Sequence, residues 1–241
     1  MRKTATFLSV LVLMGLSGLL LAQTPSPLTP FSEMQSLNDG WEPLEFPKID
    51  QLSRYELTTE DGQQVVRATT DGGASGLIAR VRLEPTDSLI LQWRWKVSNV
   101  FENGDAREKS GDDYPARIYV AFEFQPEKAG FFERAKRKTV EVLFGESLPG
   151  NALNYIWANT LTKGEIVPNP YTEKTMMIAV NSGSEQVGEW VTVERDIMAD
   201  YREAFGEEPP PVVGIAIMSD SDNTGEKATA WYGDILLNPD S

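Results

Sequence analysis

The 241-residue chain contains neither cysteine nor histidine. Without cysteine there are no disulfides, no thiolate metal sites and no attachment of lipid to a cysteine. Without histidine there are no His-dependent catalytic triads, imidazole proton shuttles or His-ligated zinc and copper sites. Any bound metal should therefore be a hard ion held by oxygen, and any catalytic acid or base must be Asp, Glu, Lys, Tyr or Arg.

Basic charge is also scarce, and the common nucleophile and phosphate motifs are missing. The chain has 36 acidic against 22 basic residues, a formal net charge of −14. Such a surface repels nucleic acid and anionic lipid head groups and favours neutral or cationic partners, including metal ions. The sequence has no G-x-S-x-G nucleophile motif, no phosphate-cradling glycine loop and no metalloprotease signature.

The first residues predict export. Residues 1–22 read as a signal peptide, with a basic start and an apolar run. The rival interpretation is a retained membrane anchor, for which that run is short. Residues 23–30 form a Pro-rich linker, and residues 31–241 are predicted to be a single domain. We therefore expect a periplasmic or extracellular protein without a membrane span after cleavage.

Alternating apolar and polar residues predict the fold. In the stretch LILQWRWKV, Trp93 and Trp95 share the apolar face, while Arg94 and Lys96 share the other. Asp61-Gly62 between two β-rich runs is typical of a hairpin turn. The many short strands predict an all-β fold, a two-sheet antiparallel β-sandwich that is jelly-roll-like and carries one or two short helices.

Two segments are predicted to be helical. Lys128 to Val142 has apolar residues at near-helical spacing. Asp196 to Phe205 is predicted to be a short helix, with Asp196 as its N-cap and Gly206 after its end.

The acidic loop DSDNTGE is a candidate calcium site. Its oxygen side chains stand at alternate positions before Gly225, as in the first half of an EF-hand loop. Position 12 is Trp231 rather than Glu and the flanks are strands, so the loop is not an EF-hand. A calcium loop of another type and a plain polar turn both stay open. The candidate metal ligands are Asp220, Asp222, Thr224 and Glu226.

Two further stretches contain candidates for ligand binding. In GDDYPAR, carboxylates precede a strand that carries Arg and Tyr, which fits either a sugar-binding face or a structural salt-bridge network. In NYIWANT, Trp157 stands among amide side chains and could stack on a sugar ring or be a buried core residue. The candidate ligand-binding residues are Arg94, Asp112, Asp113, Arg117, Tyr119, Asn154, Trp157 and Asn159.

Five motifs together resemble a known family. WRWKV, GDDYPARIYVAF, LNYIWAN, DYREAFGEEPP and GIAIMSDSDNTGE…YGDI occur in this order. The chain resembles an exported bacterial family, domain of unknown function number 3047, over about residues 40–238. Its layout also resembles galactose-binding-type jelly rolls such as carbohydrate-binding modules, which share an SGL strand, a W-x-W strand and a closing D-I-x-L strand. This second resemblance implies a sugar-binding fold without assigning a function.

These observations predict a noncatalytic binding protein for a glycan or related small polar cell-envelope ligand, with Ca²⁺ as the candidate cofactor. The alternatives are a polysaccharide lyase or hydrolase that uses Asp, Arg, Tyr or Lys, and an envelope scaffold protein. An enzyme should have a deep cleft with two carboxylates or a Tyr–Arg–Lys group, and a scaffold should have a broad apolar patch.

Overall fold

A computed structural model describes residues 26–46, 49–130 and 150–239 of the protein. These residues form two β-sheets, so the predicted β-sandwich is confirmed. The predicted signal peptide and residues 131–142 of the first predicted helix lie outside the described residues. Among the residues described, no helix is long and apolar enough to cross a membrane.

The two sheets have seven and five strands. The larger sheet contains β1 (Glu42–Leu44), β4 (Ala74–Leu83), β6 (Arg117–Phe122), β7 (Ala152–Ala158), β8 (Ile166–Asn169), β9 (Thr172–Ser182) and β11 (Val212–Asp220). The smaller sheet contains β2 (Arg54–Glu60), β3 (Gln63–Asp71), β5 (Leu89–Val97), β10 (Val191–Asp196) and β12 (Lys227–Pro239). Their strand orders are β1-β4-β11-β6-β7-β9-β8 and β10-β5-β12-β3-β2. The sheets are antiparallel except that β7 pairs with β9 in parallel.

The predicted hairpin turn joins β2 to β3. Asp61 and Gly62 have φ angles of 51° and 79°. Two successive residues in the left-handed region give the turn the twist of the flanking strands, and Asp and Gly tolerate that region best. The turn is therefore specified by these two residues.

The predicted short helix is α1 (Ile197–Phe205). The Asp196 carboxylate accepts from the backbone N–H groups of Met198 and Ala199, at 3.0 and 3.2 Å. Gly206 ends the helix with φ 69°, and its N–H donates to the carbonyl of Arg202 at 2.9 Å. Both predicted ends of the helix are confirmed. The Asp196 cap bonds to N–H groups of the first turn and Gly206 bonds to a carbonyl of the last turn, which are groups that have no partner within a helix.

Polar contacts of Asp200 link α1 to both sheets, to Tyr155 of β7 and to Arg195 of β10. Asp200 is buried and accepts from the Tyr155 hydroxyl at 2.7 Å and from Arg195 Nε at 2.9 Å. Burial, followed by the Asp200 charge, raises the pKa of Tyr155 well above its ordinary value, so the phenol stays protonated and donates. The helix is thus held by a charged contact as well as by its apolar side.

The core lies between the sheets and contains the predicted tryptophans. Trp93 and Trp95 are 1% and 0% exposed, with ring centroids 5.5 Å apart in an edge-to-face arrangement. Arg94 and Lys96 lie on the opposite, outer face, as predicted, with Lys96 largely covered. Leu28, within the segment predicted to be a linker, is also a core residue.

The outer face of the larger sheet is covered as well. A second apolar cluster packs there beneath the loops before β6 and after β7, and β7 is buried at every position. Its members are Ala106, Tyr114, Ile156, Ala158, Leu161, Val167, Met177 and Ala179. Polar side chains on this face therefore enter a nearly dry environment and need partners.

Candidate functional site

Arg117 is the centre of a buried polar cluster on the outer face of the larger sheet. Its side chain is bonded through Nε to Asp220 at 2.7 Å, and Nη2 forms an ion pair with the same carboxylate. Nη1 lies 3.5 Å from an oxygen of Asp112 and donates to the Tyr119 hydroxyl at 3.2 Å. Nη2 also donates to the Asp112 carbonyl at 2.8 Å.

The charge of Arg117 is secured by its surroundings. The side chain is almost wholly buried, and burial by itself would lower its pKa. Tyr119 and Asp112 oppose this effect and leave the pKa of Arg117 above its ordinary value. Of the two interpretations of the GDDYPAR stretch, the salt-bridge network is present, since Asp112 pairs with Arg117.

Asp113 holds the acidic loop after β11. Its carboxylate accepts from the backbone N–H groups of Asn223 and Thr224, at 3.0 and 2.6 Å, and from the Asn223 amide at 2.9 Å. The residue is 1% exposed. A carboxylate that accepts three N–H groups fixes the course of the loop that supplies them.

Three carboxylates meet beside Arg117. One oxygen each of Asp113, Asp220 and Asp222 lies within 4.8 Å of the others, and such a group could hold a metal ion. Burial and then the Asp113 charge raise the pKa of the exposed Asp222 above its ordinary value. Burial also raises the pKa of Asp112, against the opposing effect of Arg117. Negative charge is therefore in excess here.

The metal-ligand set predicted from sequence differs from this group. Asp220 and Asp222 belong to it, but Asp113 takes the place expected for Glu226. The Glu226 carboxylate instead accepts from two backbone N–H groups of the loop after β5, both at 2.9 Å. The Thr224 hydroxyl accepts from the Glu226 N–H at 3.4 Å. Alternate spacing therefore identified Asp220 and Asp222, but it could not identify Asp113, which is distant in sequence, or exclude Glu226.

Trp157 does not offer the surface expected of a sugar platform. It is 0% exposed, and its indole N–H donates to the Gly183 carbonyl at 3.1 Å. Its ring lies 6.0 Å from that of Trp95, in the core between the sheets. The stacking hypothesis for Trp157 is therefore wrong, because the core occupies both faces of a ring that a ligand would need to reach.

The other candidates are separated. Asn154 lies opposite Tyr119 on the outer face of the larger sheet, and its buried amide has no hydrogen-bond partner in the part of the chain described. Asn159 donates to the Gly104 carbonyl at 3.0 Å, within a loop. Arg94 lies on the outer face of the smaller sheet, in a different layer of the sandwich. The Arg117 cluster thus contains only some of the ligand-binding residues predicted from the sequence.

Sequence reasoning missed Tyr171, which is 56% exposed. Its hydroxyl lies 2.8 Å from Asn223 Oδ1 and 3.1 Å from the Lys109 carbonyl. Its backbone N–H donates to Asn169 at 3.0 Å, and the Asn169 amide donates to Asp112 at 2.7 Å. The ring is thus exposed yet tied at both ends to the Arg117 cluster. An aromatic residue in the turn sequence NPYT was the available signal.

Tyr171 borders a pocket of about 550 Å³. The lining residues are Arg107, Val167, Pro168, Asn169, Pro170, Tyr171, Thr172 and Glu173. The lining combines an aromatic ring and prolines with a guanidinium, a carboxylate, an amide and a hydroxyl. We call this feature the Tyr171 pocket.

The chain matches the family model of a protein of unknown function, DUF3047, over residues 39–236. It belongs to this family. The resemblance noted in the sequence motifs is thereby confirmed. No curated protein matches the chain.

Several solved structures have a similar arrangement of strands. They include the enzymatically active domain of bacteriophage CBA120 tailspike protein 4 (8% identity, TM-score 0.45), which matches 88% of this DUF3047 chain and 21% of its own length. The carbohydrate recognition domain of Emp47p matches at 10% identity and TM-score 0.42, with coverage of 89% and 95%. A family 30 carbohydrate-binding module matches at 12% identity and TM-score 0.35, over 82% of this chain and 87% of the module. The chain spans about a fifth of the tailspike chain, and likenesses of this size assign no ligand to it.

Proposed function

We propose that the protein is an exported, noncatalytic module that binds a glycan in the Tyr171 pocket, with Ca²⁺ bound in the neighbouring acidic loop. One observation carries the proposal: the Tyr171 ring is exposed and lines a pocket, yet its hydroxyl and backbone are held in place. Export rests on the basic and apolar start of the sequence.

A ring of this kind suits the apolar face of a sugar. An exposed side chain normally loses rotamer freedom when a ligand orders it, and that loss opposes binding. Tyr171 is already ordered through Asn223 and Asn169, so little freedom remains to be lost. The pocket also presents Arg107 and Glu173, whose donors and acceptors can bond to sugar hydroxyls, each of which is both donor and acceptor.

The arrangement of carboxylates favours binding over hydrolysis. Glycoside hydrolysis uses a pair of Asp or Glu residues that flank the scissile bond and reach its oxygen or carbon. Asp112, Asp113 and Asp220 are at most 5% exposed, and their oxygens accept from protein N–H groups. These carboxylates hold the loops beside the pocket in position and do not face a substrate.

Calcium would offset the excess negative charge. Four carboxylates surround the single positive charge of Arg117, and neighbouring like charges disfavour one another unless a cation lies between them. Asp222 is exposed, so an ion from solvent could reach its oxygens, and one oxygen each of Asp113 and Asp220 lies within 4.8 Å of one of them. Oxygen ligands of this type suit Ca²⁺, and the ion would stiffen the loop whose Asn223 holds Tyr171.

Glycan-array binding with and without Ca²⁺, followed by titration of the best ligand, tests the proposal. Tyr171→Ala should weaken binding about tenfold, because the ring contact is lost. Tyr171→Phe keeps the ring but loses the hydroxyl contact with Asn223, so its affinity should lie between those of the wild type and Tyr171→Ala. Leu52→Ala is the matched control, since Leu52 is the other exposed large apolar side chain of the described residues and should leave binding unchanged. Binding of no glycan, or unchanged binding by Tyr171→Ala, would contradict the proposal.

The calcium part has a separate test. Thermal unfolding is measured in Ca²⁺, Mg²⁺ and EDTA; at 100 times its Kd, a ligand stabilises the native state by about 2.7 kcal/mol. Asp222→Asn should abolish the rise in Tm on adding Ca²⁺. Glu226→Gln should keep that rise, because Glu226 bonds to backbone N–H groups of the loop after β5. An unchanged Tm in millimolar Ca²⁺ would reduce the acidic loop to a turn.

A further inference from the structure

The outer face of the smaller sheet carries a row of tryptophan rings and cations. The Arg94 guanidinium lies 4.5 Å from the Trp190 ring centroid. The Lys96 amine lies 5.2 Å from Trp190 and 4.8 Å from Trp231. Both rings are partly exposed. We call these four residues the tryptophan shelf. It belongs to the sheet opposite the Arg117 cluster.

The shelf is held in one arrangement by the β2–β3 hairpin. The Trp190 indole N–H donates to Asp61 at 2.8 Å, although the two residues stand at opposite edges of the sheet. Glu60 forms an ion pair with Lys96, and Asp61 lies 3.8 Å from the same amine. The hairpin carboxylates therefore neutralise Lys96 and leave Arg94 as the cation of the shelf that can meet a ligand.

Glycine at position 233 lets Arg94 lie flat against β12. A Cβ there would come within 2.5 Å of Arg94 Cγ and 2.6 Å of its Nε. Any larger residue would displace the Arg94 side chain from this position. Gly233 falls at the irregular register between Tyr232 and Ile235. The backbone here is thus shaped around the arginine.

Arg94 has no carboxylate partner among the described residues. Its Nη2 donates to the amide oxygen of Gln63, which carries no charge. Arg67 provides the contrast on the same sheet, because it pairs with Glu56. Although the chain has an excess of acidic residues, this guanidinium has an amide as its partner and keeps unused donors beside the Trp190 ring. A planar fork of donors fits a carboxylate through two parallel hydrogen bonds.

We propose that the tryptophan shelf binds a sugar that carries a carboxylate, such as a uronate residue of an acidic glycan. Arg94 receives the carboxylate, and the ring faces of the sugar contact Trp190 and Trp231. This second site is independent of the Tyr171 pocket because it lies on the other sheet and uses different side chains. A protein with sites on both faces would link glycan chains together.

Titration with oligogalacturonate, followed by tryptophan fluorescence, tests the proposal. The neutral comparison is an oligogalactoside of the same length. Physiological ionic strength is used, where screening confines the repulsion from the acidic chain to about 8 Å. Wild type should bind the acidic oligosaccharide at least about tenfold more tightly than the neutral one, as a charge-assisted bond to one carboxylate would give.

Variants of Arg94 distinguish the effect of its paired N–H donors from the effect of its positive charge. Arg94→Gln should abolish the preference for the acidic oligosaccharide, and Arg94→Lys should lose most of it while keeping the charge. Arg67→Gln removes a charge from the same sheet and should leave the preference intact. Tyr171→Ala should also leave it intact, so failure of the glycan pocket and failure of this site are distinguishable. Equal affinity for both oligosaccharides, no binding of oligogalacturonate, or an unchanged preference in Arg94→Gln would overturn the proposal.

Discussion

Replacing Arg117 with Met should destabilise the protein by about 3–5 kcal/mol at pH 7, the cost of leaving one partner of a buried ion pair uncompensated. The Arg117 and Asp220 side chains are 3% and 2% exposed, so water cannot take over the lost interaction. For a domain of this length, that loss lowers Tm by about 6–20 °C. Urea unfolding followed by circular dichroism measures it directly.

The loss should shrink as pH falls. Burial already raises the pKa of Asp112, and Arg117 is the main opposing influence. Without Arg117, this pKa rises further, so the native state holds a proton that the unfolded state releases. Between the unfolded and native pKa values, the native state binds more protons, and stability therefore falls as pH rises. The Arg117→Met deficit should be smaller at pH 5 than at pH 7.

A matched control uses an exposed pair. Arg67 and Glu56 are 44% and 45% exposed, so Arg67→Met should cost about 1 kcal/mol or less. If Arg117→Met were equally mild, or if its deficit were the same at both pH values, the charge of Arg117 would not stabilise the buried cluster. The double variant Arg117→Met, Asp220→Leu should recover part of the loss, because neither buried charge is then left alone.

Three further substitutions test the scaffold. Asp196→Ala removes the N-cap of α1 and should cost about 1 kcal/mol in urea unfolding. Tyr155→Phe removes a donor to the buried Asp200 carboxylate and should cost about 1.5–3 kcal/mol, measured in the same way. Gly233→Ala should displace Arg94, with a cost of about 1–3 kcal/mol from overpacking and a change in tryptophan fluorescence. An unchanged unfolding midpoint in any of the three variants would contradict the corresponding contact.

The sequence alone was sufficient for features that depend on neighbouring residues. Period-2 alternation correctly assigned Trp93 and Trp95 to the core, because β5 has one face in the core and one facing outward. The Asp61-Gly62 turn and the Asp196 cap were predictable, since each depends on the conformational preference of one or two residues.

Period-2 alternation did not predict the burial of β7, because both faces of that strand are covered. Alternation separates Trp157 from Asn154 but cannot tell which face water reaches, and here water reaches neither. Burial on the outer face comes from loops that are distant in sequence. Asp113 and Asp220 are likewise 107 positions apart and meet only because β11 pairs with β6. Long-range contacts of this kind leave no periodic trace in a single sequence.

The acidic loop takes its shape from protein donors, and this limits what Ca²⁺ can do. Asp113 accepts from two backbone N–H groups of the loop, and Glu226 ties the loop to the segment after β5. Asn223 in turn holds the Tyr171 hydroxyl. The donors of these bonds are groups of the protein itself, so Ca²⁺ should strengthen an existing loop instead of creating one. Glycan binding in the Tyr171 pocket should therefore persist in EDTA with reduced affinity, whereas complete loss would mean that the ion itself contacts the sugar.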